Sequence, residues 1–287
     1  MAPSTADSII TLRSGGAVAE IHPAIGGRLG QVDFGSGPLL RGHAPDLGWA
    51  AWGCYPLLPW SNRIPGGLLR FADGEFQLPV NWEDGSAIHG LAASCPWDVV
   101  SVSATTAELE VRVETAPYSI LGRQRFDLYR ERMTLSLSAT NLGAVAVPAG
   151  IGIHPWFTAG PVRIPADAVW PGEPLPTGPP VPVVGDHDLR NLASPAPMDA
   201  CFTSLTASSA DVPGAVLRWD GPITNVVVYS GEPGWVCVEP VTMANDGFRI
   251  SSQMSEPLKA GEHGVRVLNP GEVLEVQYRL IGVSSAA

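Results

Sequence analysis

Apolar and charged residues alternate through Glu108-Leu109-Glu110-Val111-Arg112-Val113-Glu114, a period of two that buries one face of a β-strand. Thr134 to Ala139 and Leu274 to Leu280 repeat the pattern, and shorter β-branched runs lie at Asn225 to Tyr229 and Trp235 to Val238. Almost no stretch carries a convincing helical period. Short strands divided by Gly, Pro, Asp and Asn turns predict an all-β chain, an antiparallel sandwich or barrel. One segment breaks the rhythm. Pro161 to Pro197 holds ten prolines and few apolar runs, which predicts a long decorated loop. The alternating strands on its two sides look alike, so residues 1–287 are expected to form a single domain.

Composition narrows the function classes. The chain has 287 residues, 45% of them hydrophobic and 16% charged, enough to bury a core without disulfide or metal staples. Seventeen Lys and Arg against 28 Asp and Glu leave a formal net charge of -11, the wrong sign for a nucleic-acid or anionic-membrane partner. Lys259 is the sole lysine, which argues against Schiff-base and P-loop chemistry. Cys54, Cys95, Cys201 and Cys237 stand far apart with no C-x-x-C pair, and are expected as free thiols in a reducing cytosol. Met1 to Ile10 lacks the basic and apolar regions of a signal peptide. The uncharged stretch Asn141 to Val162, interrupted by His154, is broken by Pro148, Pro155 and Pro161 and is not expected to span a membrane.

Six histidines are available, and none sits at H-x-H, H-x-x-H or H-E-x-x-H spacing, so no metal or other cofactor is expected. His22, His43, His187 and His263 lie among turn or polar residues and are expected at the surface. His154 follows the apolar run Val145 to Ile153 and is halted by Pro155, which holds its imidazole at a strand end. It is either a reactive group or a buried histidine satisfied by a backbone carbonyl. His89, in Ala87-Ile88-His89-Gly90, poses the same pair of alternatives. In Trp235-Val236-Cys237-Val238-Glu239-Pro240 the pleat sets Cys237 and Glu239 opposite Val236 and Val238. Glu239 is then either a pocket carboxylate, tuned by burial and neighbouring charge, or an exposed strand-end glutamate. Asn62 and Arg63, in a turn-rich surround, offer an amide and a fork-shaped donor suited to hydroxyls. Asp199, where the proline-rich segment rejoins the fold, could accept two more.

Asn62-Arg63-Ile64, then Ile88-His89-Gly90 followed by Trp97, then Gly152-Ile153-His154-Pro155-Trp156-Phe157, then Asp199 with Phe202, then Glu239-Pro240, occur in an order that resembles the aldose 1-epimerase (galactose mutarotase-like) family. The resemblance runs over residues 24 to 282. It implies an antiparallel β-sandwich of the galactose mutarotase-like supersandwich type, whose open concave face holds a free monosaccharide, and a cofactor-free interconversion of α and β anomers. By the same resemblance the general acid falls on His154, the general base on Glu239, and sugar-binding positions on Arg63, His89 and Asp199. A monomer or homodimer in the cytoplasm is expected. The stretch Thr242 to Phe248 and the proline-rich segment both depart from the family pattern, which leaves the rim of the site open.

Three rivals remain at this stage. A glycoside hydrolase would use Asp199 and Glu239 as paired carboxylates. A noncatalytic carbohydrate-binding sandwich would use His154 and Glu239 for hydrogen bonding alone. A mutarotase of a phosphorylated or sulfonated hexose would need a further arginine, such as Arg41 or Arg70, facing the site.

Overall fold

The computed structural model describes residues 9–253 and 263–283. Lys259 and most of the stretch Met1 to Ile10 lie outside the described residues. Seven strands form one sheet, in the spatial order Ser209–Val212, Ala215–Asp220, Val273–Gly282, Arg132–Asn141, Tyr118–Tyr129, Thr106–Thr115, Asp98–Val102. Three of these are the alternating segments of the sequence. Leu109, Val111 and Val113 are buried on one face, as are Leu135, Leu137 and Ala139, and Leu274, Val276, Tyr278 and Leu280. Their polar neighbours Glu108, Glu110, Ser136 and Gln277 lie on the other face, partly exposed.

The second sheet has ten strands. Its spatial order is Ile10–Ser14, Ala17–His22, Arg28–Asp33, Cys54–Leu57, Gly152–Thr158, Trp235–Val241, Asn225–Tyr229, Asp199–Leu205, Ala166–Val169, Val181–Pro182. The paired strands of both sheets run antiparallel. Inner faces of the two sheets share one hydrophobic core, where Ile153, Val236, Val238, Val226 and Phe202 meet Leu137, Phe126, Leu109 and Tyr278. The β-sandwich expected from the sequence is therefore the fold.

Two local expectations change. Pro161 to Pro197 is not wholly a loop: Ala166–Val169 and Val181–Pro182 form the outer edge of the ten-stranded sheet. Proline is tolerated there because an edge strand leaves one row of backbone groups unpaired. After the strand carrying Glu239, one short helix, Gly247–Gln253, forms where no helical period was evident. Among the described residues no helix is long and apolar enough to cross a membrane.

Candidate active site

The central strands of the ten-stranded sheet are buried on both faces, and the pleat sorts their side chains into two sets. Val236 and Val238 face the shared core, while Cys237 and Val241 belong to a second apolar cluster with Tyr55, Trp156, Cys201 and Val227. That second cluster floors a cleft of about 470 Å³. Glu239 is on the Cys237 side, as the alternation predicts. Gly152 pairs with Val241 and Trp156 with Cys237, a register that sets His154 opposite Glu239. His154 pairs in turn with Tyr55, and Glu239 with Val227.

His154 Nε2 lies 3.2 Å from Glu239 Oε1, with both side chains nearly buried. Burial raises the Glu239 carboxyl well above its usual range, nearby Asp199 raises it further, and Arg63 partly offsets this. Burial also pushes His154 down to about 3, with its own backbone opposing and the Arg28 guanidinium adding to the fall. Both shifts favour the uncharged forms, a neutral His154 imidazole beside a Glu239 carboxyl whose ionisation burial opposes. Nδ1 of His154 has no hydrogen-bond partner in any other residue and faces only its own backbone. Its ring is held by stacking instead, against Tyr55 at 4.6 Å and 19°, and against Trp156 at 5.6 Å and 24°.

The remaining sequence candidates surround this pair. Asn62, Arg63, His89 and Asp199 all line the same cleft. Arg63 and Ile88 pair in a short ladder, and His89 N donates to Asn62 O at 2.9 Å. Asn62 and His89 both have left-handed backbones, φ 54° and 61°, a costly conformation for residues with a Cβ that recurs where side chains must be aimed at a site. Gly90 follows His89 at φ 73°, and a Cβ there would meet Leu58 O at 2.0 Å. Arg63 donates from Nε to Asp84 at 2.9 Å and from Nη1 to Asp199 at 3.3 Å. Asp199 is raised by burial and, less, by Glu173, with Arg63 opposing. The proline-rich segment supplies Glu173, which accepts from Asp199 N at 2.8 Å. His89 stands edge-on to His154, ring centroids 5.0 Å apart, and is pushed well below its usual value by burial, then by His154 and Arg63.

A family model for aldose 1-epimerase matches residues 8–280. The chain belongs to the aldose 1-epimerase family. Among curated relatives it is 31% identical over 150 residues to the uncharacterized protein YihR of Escherichia coli, a match spanning 50% of this chain and 49% of YihR. The chain thus spans about half the length of that relative. A candidate aldose 1-epimerase of Escherichia coli K12 superposes with a TM-score of 0.82 at 24% identity, covering 96% of this chain and 98% of the other. A galactose mutarotase-like protein of Clostridium acetobutylicum gives 0.80 at 20% identity, covering 96% and 95%. These structural likenesses speak to the fold.

Several cleft residues of this aldose 1-epimerase family member escaped the sequence reading. Trp49, Trp82, Tyr229 and Glu232 line the cleft. Nothing marks them in sequence, because their partners are remote along the chain. Arg28 is the clearest case. It is fully buried, and donates to Ile25 O, Trp49 O, Trp52 O and Ala93 O at 2.6–3.0 Å. Its guanidinium lies 4.3 Å from the Trp52 ring centroid and 5.0 Å from that of Tyr55. The one available signal is a charge set between glycines, in Gly27-Arg28-Leu29-Gly30. His22 is a further correction: it is half-buried against Trp52 rather than superficial, and burial brings it to about 4. Among the described residues no cluster of His, Cys, Asp and Glu has the makings of a metal site.

Proposed function

We propose that this protein is a mutarotase that interconverts the α and β anomers of a free neutral aldose, with His154 and Glu239 as its acid and base. The observation that carries this reading is their placement side by side, 3.2 Å apart on the floor of the cleft. The hydroxyl oxygen and the ring oxygen of a cyclic hemiacetal share one carbon, so the groups that act on them must be close neighbours. Adjacent strands, about 4.8 Å apart, supply that spacing.

Ring opening needs one proton removed from the C1 hydroxyl and one delivered to the ring oxygen. In the ion-pair form, Glu239 carboxylate takes the C1 hydroxyl proton while His154 imidazolium gives its Nε2 proton to the ring oxygen. The C1–ring oxygen bond breaks and the aldehyde forms. Glu239 is now protonated and His154 neutral. After rotation about C1–C2 the same two groups run the reverse transfers, and the ring closes on the other face. The pair carries one proton throughout, and the direct contact lets that proton pass from Glu239 to His154 before opening. Acid–base placement of this kind is worth about 10²- to 10⁴-fold.

Arg63, His89, Asn62 and Asp199 are proposed to hold the ring hydroxyls, with the aromatic walls packing on its apolar faces. Charge favours an uncharged ligand. Apart from Glu239, whose ionisation burial opposes, the cleft is lined by the carboxyl groups of Glu83, Asp199 and Glu232, against Arg63 as its sole Lys or Arg among the described residues. Arg70, one candidate for an anion pocket, instead pairs with Glu75 on an exposed hairpin. The reading treats residues 1–287 as one domain and involves no metal.

Exchange between anomeric signals, followed by NMR saturation transfer over a panel of free aldoses, tests both reaction and substrate. Binding with no exchange for any aldose would mark a sugar-binding module instead.

A further inference from the structure

The outer end of the cleft holds a charge pair that ring opening does not use. Glu232 sits in the turn before the strand Trp235–Val241, where Trp235 N donates to Glu232 O at 3.2 Å, and its side chain lines the cleft. Arg41 Nη1 lies 2.6 Å from Glu232 Oε1. The Arg41 backbone is tied to the cleft floor, with its N–H donated to Trp156 O at 2.9 Å and its carbonyl accepting from Gly53 at 2.8 Å. The guanidinium rests 5.2 Å from the Trp156 ring centroid and 5.0 Å from that of Trp235, with 12% of the side chain exposed.

Position along the cleft matters. Asp199 pairs with Tyr229, and Tyr229 with Cys237, two residues from Glu239 along the strand. At about 3.3 Å per residue that row lies roughly 7 Å from the acid–base pair, within reach of one pyranose ring. The start of the strand at Trp235 is about 7 Å further out on the same spacing. A sugar with C1 over Glu239 and its hydroxyls at Arg63 and Asp199 therefore extends outward toward Glu232, and a substituent on its exocyclic C6, carried on C5, reaches beyond the ring in that direction. Phosphate or sulfonate, when a sugar carries one, occupies such a position.

The Arg41–Glu232 contact is a charge pairing rather than a directed hydrogen bond, because the buried Nη1 has no acceptor along its N–H directions. Arg41 is thus a braced, nearly buried fork whose charge is cancelled but whose donors are not saturated. A guanidinium of that kind favours bidentate contact with an anion once its carboxylate is gone.

We propose that Glu232 is a specificity-determining residue of the proposed mutarotase: by masking Arg41 and adding its own charge, it bars anionic sugars from the outer end of the cleft. The inference rests on the mutarotase reading for the substrate's orientation. Removing the Glu232 carboxylate exposes a ready anion site.

The test compares glucose with glucose 6-phosphate in wild type, Glu232→Gln, Glu232→Ser and the double variant Arg41→Met/Glu232→Gln, each checked for folding by thermal melt. Anomer exchange gives kcat/KM, and NMR titration gives affinity without any need for turnover. The expected result is a rise of at least about tenfold in the phosphate-to-neutral ratio for either single variant, shrinking as salt screens the contact and vanishing in the double variant. A ratio within twofold of wild type in both single variants overturns the proposal, and an undiminished gain in the double variant overturns the part given to Arg41. If wild type interconverts no aldose, the mutarotase reading fails by itself. The affinity ratio for the two sugars then still decides whether Glu232 excludes anions.

Discussion

His154 and Glu239 face each other across adjacent antiparallel strands, 3.2 Å apart and almost wholly buried. An acid and a base in such contact titrate as a pair, with macroscopic values that belong to both. Losing either member leaves the other unable to complete the transfer. Glu239→Gln and His154→Asn are each expected to slow anomer exchange by at least about 10²-fold while sugar still binds. Polarimetry on a freshly dissolved anomer measures this. Exchange within tenfold of wild type would remove the altered residue from the mechanism.

The same pair sets the pH profile. Its working form holds one proton, so the rate falls where a second is added or the first is lost. His154 is pushed down to about 3 and Glu239 is raised, which separates the two limits. We expect the acid limb of kcat/KM to appear only as pH approaches the His154 value, well below the ordinary imidazole range, and the alkaline limb to follow the raised Glu239. An inflection near 6.5 would show that His154 titrates as an ordinary solvated imidazole.

Arg63 spans Asp84 and Asp199, at 2.9 and 3.3 Å. Its loss removes a donor to the sugar and leaves Asp199 uncompensated. Arg63→Ala is expected to raise KM more than it lowers kcat, since ground and transition states lose the same contacts. A change confined to kcat would place Arg63 at the reacting atoms instead.

Strand positions were legible where one sheet face meets water. Leu109, Val111 and Val113 alternate with charged residues because their sheet has a solvated side. The Cys237/Glu239 face was legible for the same reason of pleat, and the family motifs lead to six residues that all line one cleft. What the strands could not reveal is what covers them. Trp82, Glu232 and Glu173 come from turns and loops, and their approach to the cleft depends on tertiary contacts such as Arg41 with Glu232. Short edge strands inside Pro161 to Pro197 were hidden because proline obscures the period while an edge tolerates it.

Acid stability should report the buried imidazoles. His22 is lowered to about 4, His154 to about 3, and His89 well below its usual value, all chiefly by burial. In the unfolded chain these groups take up protons near 6.5. Below that pH the unfolded state binds more protons than the folded one, so stability is lost as pH falls from about 6.5 toward 4. Glu239, raised in the fold, acts in the opposite sense and only above its unfolded value. Thermal melts should show Tm falling over this window, with a shallower slope in His22→Asn. An equal slope in the variant would mean that His22 is solvated in the folded state.

The last prediction concerns Arg28, which touches no sugar. Its donors are shared among the carbonyls of Ile25, Trp49, Trp52 and Ala93, and the residues from Gly48 to Ala51 form one wall of the cleft. Ala50 in that wall also accepts from the Tyr55 hydroxyl at 3.1 Å and from Trp156 Nε1 at 2.9 Å. Arg28 thereby fixes the segment against which the rings flanking His154 are braced. Arg28→Leu would strand several buried carbonyls, at about 1–3 kcal/mol for each unsatisfied group, so a loss of at least about 3 kcal/mol is expected. Arg28→Lys should recover little of it, because one ammonium presents three donors from a point and cannot span four carbonyls as a planar fork does. Urea denaturation of the three proteins measures the difference. A lysine variant within about 1 kcal/mol of wild type would show that charge alone, rather than the fork, satisfies this site.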